Sequence, residues 1–239
     1  MLPPPVTCRV VRAGVVEYLK SWEVQRALAQ EVADGMQPNT LILLEHPPVY
    51  TIGRRGSRDH VMLDDVELSE LGISLHEIDR GGQVTFHGPG QLVAYPVLDI
   101  REWGGPVKYV RTLERVIIRT LADFGITAGL IEGLTGVWAG DRKIAAIGVK
   151  ISSGITYHGL ALYVNTDLSG FDHIVPCGIT DRDVTSMKKQ LGEPVDVDLV
   201  AYSLVYHFGG EMGLRMTETE SSIIEGLAVA QPAVRNGSP

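Results

Sequence analysis

The stretch KIAAIGVKISSGITYHGLALYV, residues 143–164, holds two runs rich in β-branched and aliphatic residues on either side of Ser152-Ser153-Gly154. That composition around a short Ser/Gly turn predicts two antiparallel strands, 143–152 and 155–164, joined as a hairpin in the core of a sheet. Just upstream, Val137-Trp138 reads as a further strand. Before it, Val107, Val110, Leu113, Ile117, Leu121 and Phe124 recur in steps of three and four up to Gly125, which predicts an amphipathic helix. Residues 84–100 alternate loosely around Gly88-Pro89-Gly90, predicting two short strands joined by a tight turn. Nearer the start, LILLE at 41–45 and Val49–Ile52 read as strands, and Val15, Val16, Leu19, Trp22, Leu28 and Val32 as a helix ending by Gly35. On the C-terminal side, Val197, Val200, Ala201, Leu204, Val205 and Phe208 form a last helix with Asp196 as its N-cap. Strands outnumber helices and are joined mostly by short turns. The expectation is an α+β fold in a single domain over residues 1–216, with 217–239, which lacks aromatics, as a disordered tail.

At 239 residues the chain fits one large domain, against roughly 100–200 residues per domain. It has no run of about 18 consecutive apolar residues, so no membrane span is expected. A net charge of −8 repels phosphate backbones, and no nucleic-acid partner is expected. Its two cysteines, Cys8 and Cys177, cannot form a disulfide framework or a Cys-based metal site. MLPPPVTCRV lacks a basic segment followed by an apolar one, so no secretory signal is read and a cytoplasmic location is expected. The seven histidines lack the spacing that puts two imidazoles on one ion, so no metal is expected. Phosphate-loop, zincin and serine-hydrolase motifs are absent, and Gly88-Pro89-Gly90 does not continue as a dinucleotide fingerprint. No cofactor is expected.

Three features can carry chemistry. Cys177 lies between Pro176 and Gly178, a frame that presents a thiol on a loop and equally suits a small buried hydrophobe. Lys143 heads the apolar run Ile144, Ala145, Ala146, Ile147, Val149. There an ammonium loses hydration and can exchange a proton with a thiol, unless its stem carries it out to water. The run from Arg80 to Gln91 combines four glycines with His87 and the Thr85 hydroxyl. Glycines let a ligand approach main-chain N–H groups able to hold an oxyanion, although a pair of turns would use them too. Arg54, Arg55 and Arg58 make a basic loop which, with Lys188 and Lys189, could form a docking patch for an acidic partner.

Taken together, RGGQVTFHGPGQL at 80–92, KIAAIGVKIS at 143–152, HGLAL at 158–162, NTDLSGF at 165–171 and PCGI at 176–179 resemble the octanoyltransferase family of the lipoate-protein ligase B type. LLEHPPVYTIGRR at 43–55 resembles its N-terminal block. The resemblance implies the fold of lipoate and biotin protein ligases, a mixed, mainly antiparallel sheet flanked by helices. It also implies transfer of an octanoyl (or lipoyl) group from acyl carrier protein to a lysine of lipoyl domains, through a cysteine thioester and without ATP. The acceptors implied are the lipoyl domains of 2-oxoacid dehydrogenases and the glycine cleavage H protein. By position Cys177 matches the acyl-accepting thiol, and Lys143 the residue that lowers its pKa or moves protons. Arg80, Gly81, Gly82, Gln83, Val84, Thr85, Phe86 and His87, Ala146, Ile147 and Gly148, and Gly159, Leu160 and Ala161 match the segments lining the acyl site. Phe86, Ile147, Leu160 and Leu162 are expected to measure the chain. Tyr163 departs from the family, which commonly carries asparagine there.

Overall fold

The computed structural model describes residues 6–175 and 183–219. Eleven strands, β1 (Thr7–Val15), β2 (Asn39–Glu45), β3 (Val49–Ile52), β4 (Ser74–Glu77), β5 (Val84–His87), β6 (Gln91–Val97), β7 (Gly129–Ile131), β8 (Leu134–Ala139), β9 (Arg142–Ser152), β10 (Ile155–Tyr163) and β11 (Arg215–Thr219), make two sheets among the described residues. The larger has the order β11-β1-β2-β6-β10-β9-β8-β7, and the smaller β4-β3-β5. In the large sheet β1 runs parallel to β11 and β2 and the remaining pairs are antiparallel. Five α-helices accompany them: α1 (Tyr18–Ala33), α2 (Asp65–Glu70), α3 (Gly105–Asp123), α4 (Met187–Leu191) and α5 (Val197–Met212). None is long and apolar enough to cross a membrane.

β2 explains why the large sheet is covered on both faces. Its run LILL has no polar side, and successive side chains of a strand point to opposite faces. Leu41 and Leu43 enter a core with Leu113, Ile117 and Leu121 of α3 and Leu204 and Phe208 of α5. Ile42 and Leu44 enter a second core with Val24, Leu28 and Val32 of α1 and with Tyr50, Ile52, Val84 and Phe86 of the small sheet. β10 divides likewise, with Leu160 and Leu162 in the first core and Ala161 and Tyr163 in the second. Leu162, expected to measure an acyl chain, is thus a fully buried partner of α3 and α5.

The α+β class, the 143–164 hairpin and the α3 stripe at Leu113, Ile117 and Leu121 agree with the sequence reading, whereas Val107 at its start is exposed. The Asp196 side chain caps α5, accepting from the N–H groups of Asp198 and Leu199. Four expectations need correction. The helix expected from Val15 starts at Tyr18, because residues 7–15 form β1, which pairs on both sides. The helix's buried stripe includes Ser21 and Gln25, whereas Leu19 faces out. The strands flanking Gly88-Pro89-Gly90 do not pair with each other: β5 joins β3 in the small sheet and β6 joins β2 and β10 in the large one. The domain boundary at Met216 falls inside β11, where Thr217, Glu218 and Thr219 pair with Arg9, Val10 and Val11. Residues 220–239, the rest of the expected tail, lie outside the described residues.

Candidate active site

β9 and β10 are held by the pairs Ala146↔Ala161, Ile147↔Leu160 and Gly148↔Gly159, which puts small residues at adjoining positions of the two strands. Above them lies a cavity of about 440 Å³, within the range of small-molecule sites. The loop from Arg80 to Gln83 closes one side of it. Gly81 N–H donates to Val149 C=O at 2.9 Å, while Gly53, Arg54 and Arg55 N–H donate to the carbonyls of Gln83, Arg80 and Gly82, each at 3.0 Å. The loop is therefore laced to β9 on one side and to residues 53–55 on the other. Gly148 permits this approach, since a Cβ there would stand 2.9 Å from Gly81 O and 3.0 Å from Arg80 Cδ.

Arg80 is buried, and its guanidinium serves the loop itself. Nη2 donates to Thr51 O (2.7 Å), Thr51 Oγ1 (2.8 Å) and Gln83 O (2.9 Å), and Nη1 to Gly81 O (2.9 Å). The expected binding residues Arg80 to Thr85, His87, Ala146 to Gly148 and Gly159 to Ala161 all line the cavity, and Lys143 lies at one end. Phe86 does not. Its ring is instead packed on Tyr50 and Phe171, each 5.5 Å away between centroids, within the second core. Tyr163, the departure from the family pattern, lines the cavity with its ring 5.0 Å from that of Phe171.

Lys143 sits at a junction. Its N–H donates to Asp183 O (3.0 Å) and its C=O accepts from Thr185 N–H (2.9 Å), so β9 is sewn to the segment that follows residues 176–182. The segment preceding them is also tied, since Val175 N–H donates to His60 O at 2.9 Å. Cys177 and Gly178 lie outside the described residues. Lys143 Nζ stands 4.9 Å from the Trp138 ring centroid, within cation–π range. Cys8, the other cysteine, is fully buried in β1, and burial pushes its thiol up to about 12. It is a protonated core residue rather than a nucleophile.

The other end of the cavity is lined by groups that sequence reasoning did not single out, Tyr18, Tyr95 and His158, together with His87. His46 Nδ1 donates to Val16 O (2.6 Å) and its Nε2 accepts from the Tyr95 hydroxyl (2.8 Å). His87 Nδ1 donates to Gln91 Oε1 (2.6 Å). Burial lowers His46 to about 4, against the opposing pull of Val16. His87 falls well below the usual histidine range through burial, with His46 and Arg80 adding to it. These imidazoles are neutral. Of Tyr18, Tyr95 and His158, only the last, inside the HGLAL block, had a sequence signal; Tyr18 and Tyr95 reach the cavity only because α1 and β6 meet β10.

Among the described residues no cluster of three or more His, Cys, Asp or Glu side chains can hold a metal. Of the basic residues, Arg55 lines the cavity, Arg54, Lys188 and Lys189 are exposed, and Arg58 is spent on Val61 O, Leu63 O and Asp65.

Comparison with known proteins agrees with this geometry. Residues 17–209 match the lipoyl protein ligase A/B catalytic domain. The chain is 49% identical over 207 residues to an octanoyltransferase of Chloroflexus aurantiacus, covering 85% of this chain and 93% of that protein. It is 47% identical over 188 residues to a mitochondrial octanoyltransferase of Arabidopsis thaliana, covering 78% and 80%. A crystal structure of lipoate-protein ligase A bound with ATP superposes with a TM-score of 0.77 over 92% of this chain and 91% of that one. At 19% identity it speaks to the fold alone.

Proposed function

Because this chain belongs to the lipoyl protein ligase A/B catalytic-domain family, we propose that it is an octanoyltransferase of protein lipoylation. In this reading it carries an octanoyl group from acyl carrier protein to a lysine of a lipoyl domain by way of a thioester on Cys177. The acceptors are the lipoyl domains of 2-oxoacid dehydrogenases and the glycine cleavage H protein, and the setting is cytoplasmic. The observation that carries the mechanism is the sewing of Lys143, at one end of the cavity, to the segment that leaves residues 176–182. Cys8 supports it from the other direction, being protonated and buried.

In the resting pair of this reading Cys177 is a thiolate and Lys143 an ammonium. The thiolate attacks the donor thioester carbonyl. As the carbon–sulfur bond to the carrier breaks, the carrier thiol leaves with the proton of Lys143, and the octanoyl group rests on Cys177. The acceptor amine then attacks this new thioester and gives its proton to Lys143, now neutral, while Cys177 departs as thiolate. An amide has formed and the resting pair is restored, so neither ATP nor a metal enters the balance. Main-chain N–H groups of the glycine-rich 80–87 segment or near Gly178 hold the oxyanion of each tetrahedral intermediate. Arg54 and Arg55, which Arg58 does not join because it is spent locally, form the docking patch for the acidic carrier.

The test is intact mass spectrometry after mixing the protein with octanoyl carrier and no nucleotide. A mass gain of one octanoyl group, absent in Cys177→Ala and discharged by a lipoyl domain, is the expected result. A strict requirement for ATP would replace this reading with a ligase.

A further inference from the structure

The cavity end away from Lys143 is built from polar side chains that the proposed transfer chemistry does not use. His158 pairs with Val149, which at about 3.3 Å per residue lies roughly 20 Å further along β9 than Lys143. Its Nε2 is 2.9 Å from Asp79 Oδ1. An ionised carboxylate only accepts, so Nε2 carries the ring proton and Nδ1 is left to accept from the Tyr18 hydroxyl, 3.3 Å away. Asp79 is itself held by the Tyr157 hydroxyl at 2.5 Å, with Lys150 Nζ 4.0 Å away. His158 adopts φ +55, a left-handed conformation that only an over-determined setting sustains in a non-glycine residue, and Gln25 Oε1 secures it by accepting its N–H at 2.8 Å.

This wiring converges on Tyr18. As the first residue of α1, Tyr18 is not fixed by the helix ladder as an interior residue is. It is nevertheless only 2% exposed, stacked on His87 with centroids 5.8 Å apart and set against His46 at 5.0 Å. A ring pinned at its hydroxyl and stacked on its face cannot yield to a longer ligand as an aliphatic side chain could by changing rotamer.

We propose that Asp79 and His158 are positioning residues that fix the Tyr18 ring as the end wall of the cavity, and that this wall sets the longest acyl chain admitted. The inference rests on reading the cavity as the acyl site. It replaces Phe86 and Leu162, which face the cores, as the determinants of chain length.

The experiment has two arms, run on the wild type, His158→Asn, Asp79→Asn, Tyr18→Phe and Tyr18→Ala, with thermal unfolding to confirm that each folds. Asparagine tolerates positive φ, so His158→Asn keeps the backbone while cutting the link to Asp79. In the first arm octanoyl, decanoyl and dodecanoyl carriers compete for one lipoyl domain. In the second, free octanoate and dodecanoate are titrated calorimetrically. The wild type should favour octanoyl over dodecanoyl by roughly tenfold or more, the cost of overpacking a closed pocket. His158→Asn and Tyr18→Ala should bring that ratio close to one in both arms, with Asp79→Asn and Tyr18→Phe in between. A purely structural role would lower use of all chain lengths together. An unchanged ratio in His158→Asn and in whichever Tyr18 variant folds would overturn the proposal. No octanoyl product from the wild type would end the proposed function instead, and the titration would still judge the wall.

Discussion

Treating the protein with iodoacetamide at about pH 8 should leave Cys8 unmodified while Cys177 reacts. A thiol at about 12 is ionised in about one molecule in 10,000 at that pH, whereas an ordinary thiol near 8.5 is ionised in roughly one in four. That is a deficit of about 2,000-fold in thiolate. The more basic thiolate is also the better nucleophile, which returns roughly 40-fold and leaves Cys8 slower by about 50-fold through ionisation alone. Access lowers the rate further, because Cys8 has no exposed surface and lies between β2 and β11 in the sheet. Peptide mass spectrometry over a time course, with glutathione as the internal reference, measures both rates. If Cys8 reacted within tenfold of glutathione in folded protein, the account of β1 as an interior strand and of Cys8 as an inert thiol would be wrong.

Lys143→Arg should keep Cys177 reactive at lower pH than Lys143→Met does, since guanidinium retains the charge, yet both should lose transfer by roughly 100-fold or more because neither returns a proton; alkylation and transfer rates against pH separate the two roles. Gly148→Ala should cost about 1–3 kcal/mol, since its Cβ meets Gly81 O at 2.9 Å, and should raise KM for the acyl donor more than it lowers kcat as the 80–83 loop shifts; thermal unfolding and steady-state kinetics check this. His46 has a folded pKa of about 4 against about 6.5 unfolded, so its neutral form contributes stability present above about pH 6.5 and lost as pH falls towards 4, about 1.4 kcal/mol per unit. With His87 and His158 shifted the same way, denaturant unfolding should show uptake of more than one proton across that window, and a flat profile would contradict neutral buried imidazoles.

Much of the fold was legible where local pattern and tertiary fate coincide. The α3 stripe, the Asp196 cap and the 143–164 hairpin each carry their own signal within one element. β1 was not, because TCRVVRAGV follows a proline run and its edges are paired only by residues distant in the chain, at 39–45 and 215–219. The site divides in the same way. The glycines from Gly81 to Gly90 announce close backbone approach, and Lys143 stands out against its apolar neighbours. Asp79, Tyr18 and Tyr95 have no periodicity to mark them and gain their roles only when α1 and β6 meet β10. Phe86 misled because motif membership does not say what a side chain packs against, here the rings of Tyr50 and Phe171.

The parallel pairing of β1 with both β2 and β11 also bears on how the chain is made. During synthesis β1 finds β2 early, across one helix, but its other edge waits for residues 215–219. Until those emerge, a row of unsatisfied N–H and C=O groups on Thr7 to Val11 is open to any passing strand. Sheet completion therefore depends on one of the most distant contacts in the chain, and such contacts form slowly. Loss of β11 should thus show first as a poorer yield of soluble protein from the ribosome, with catalysis by the molecules that do fold affected much less.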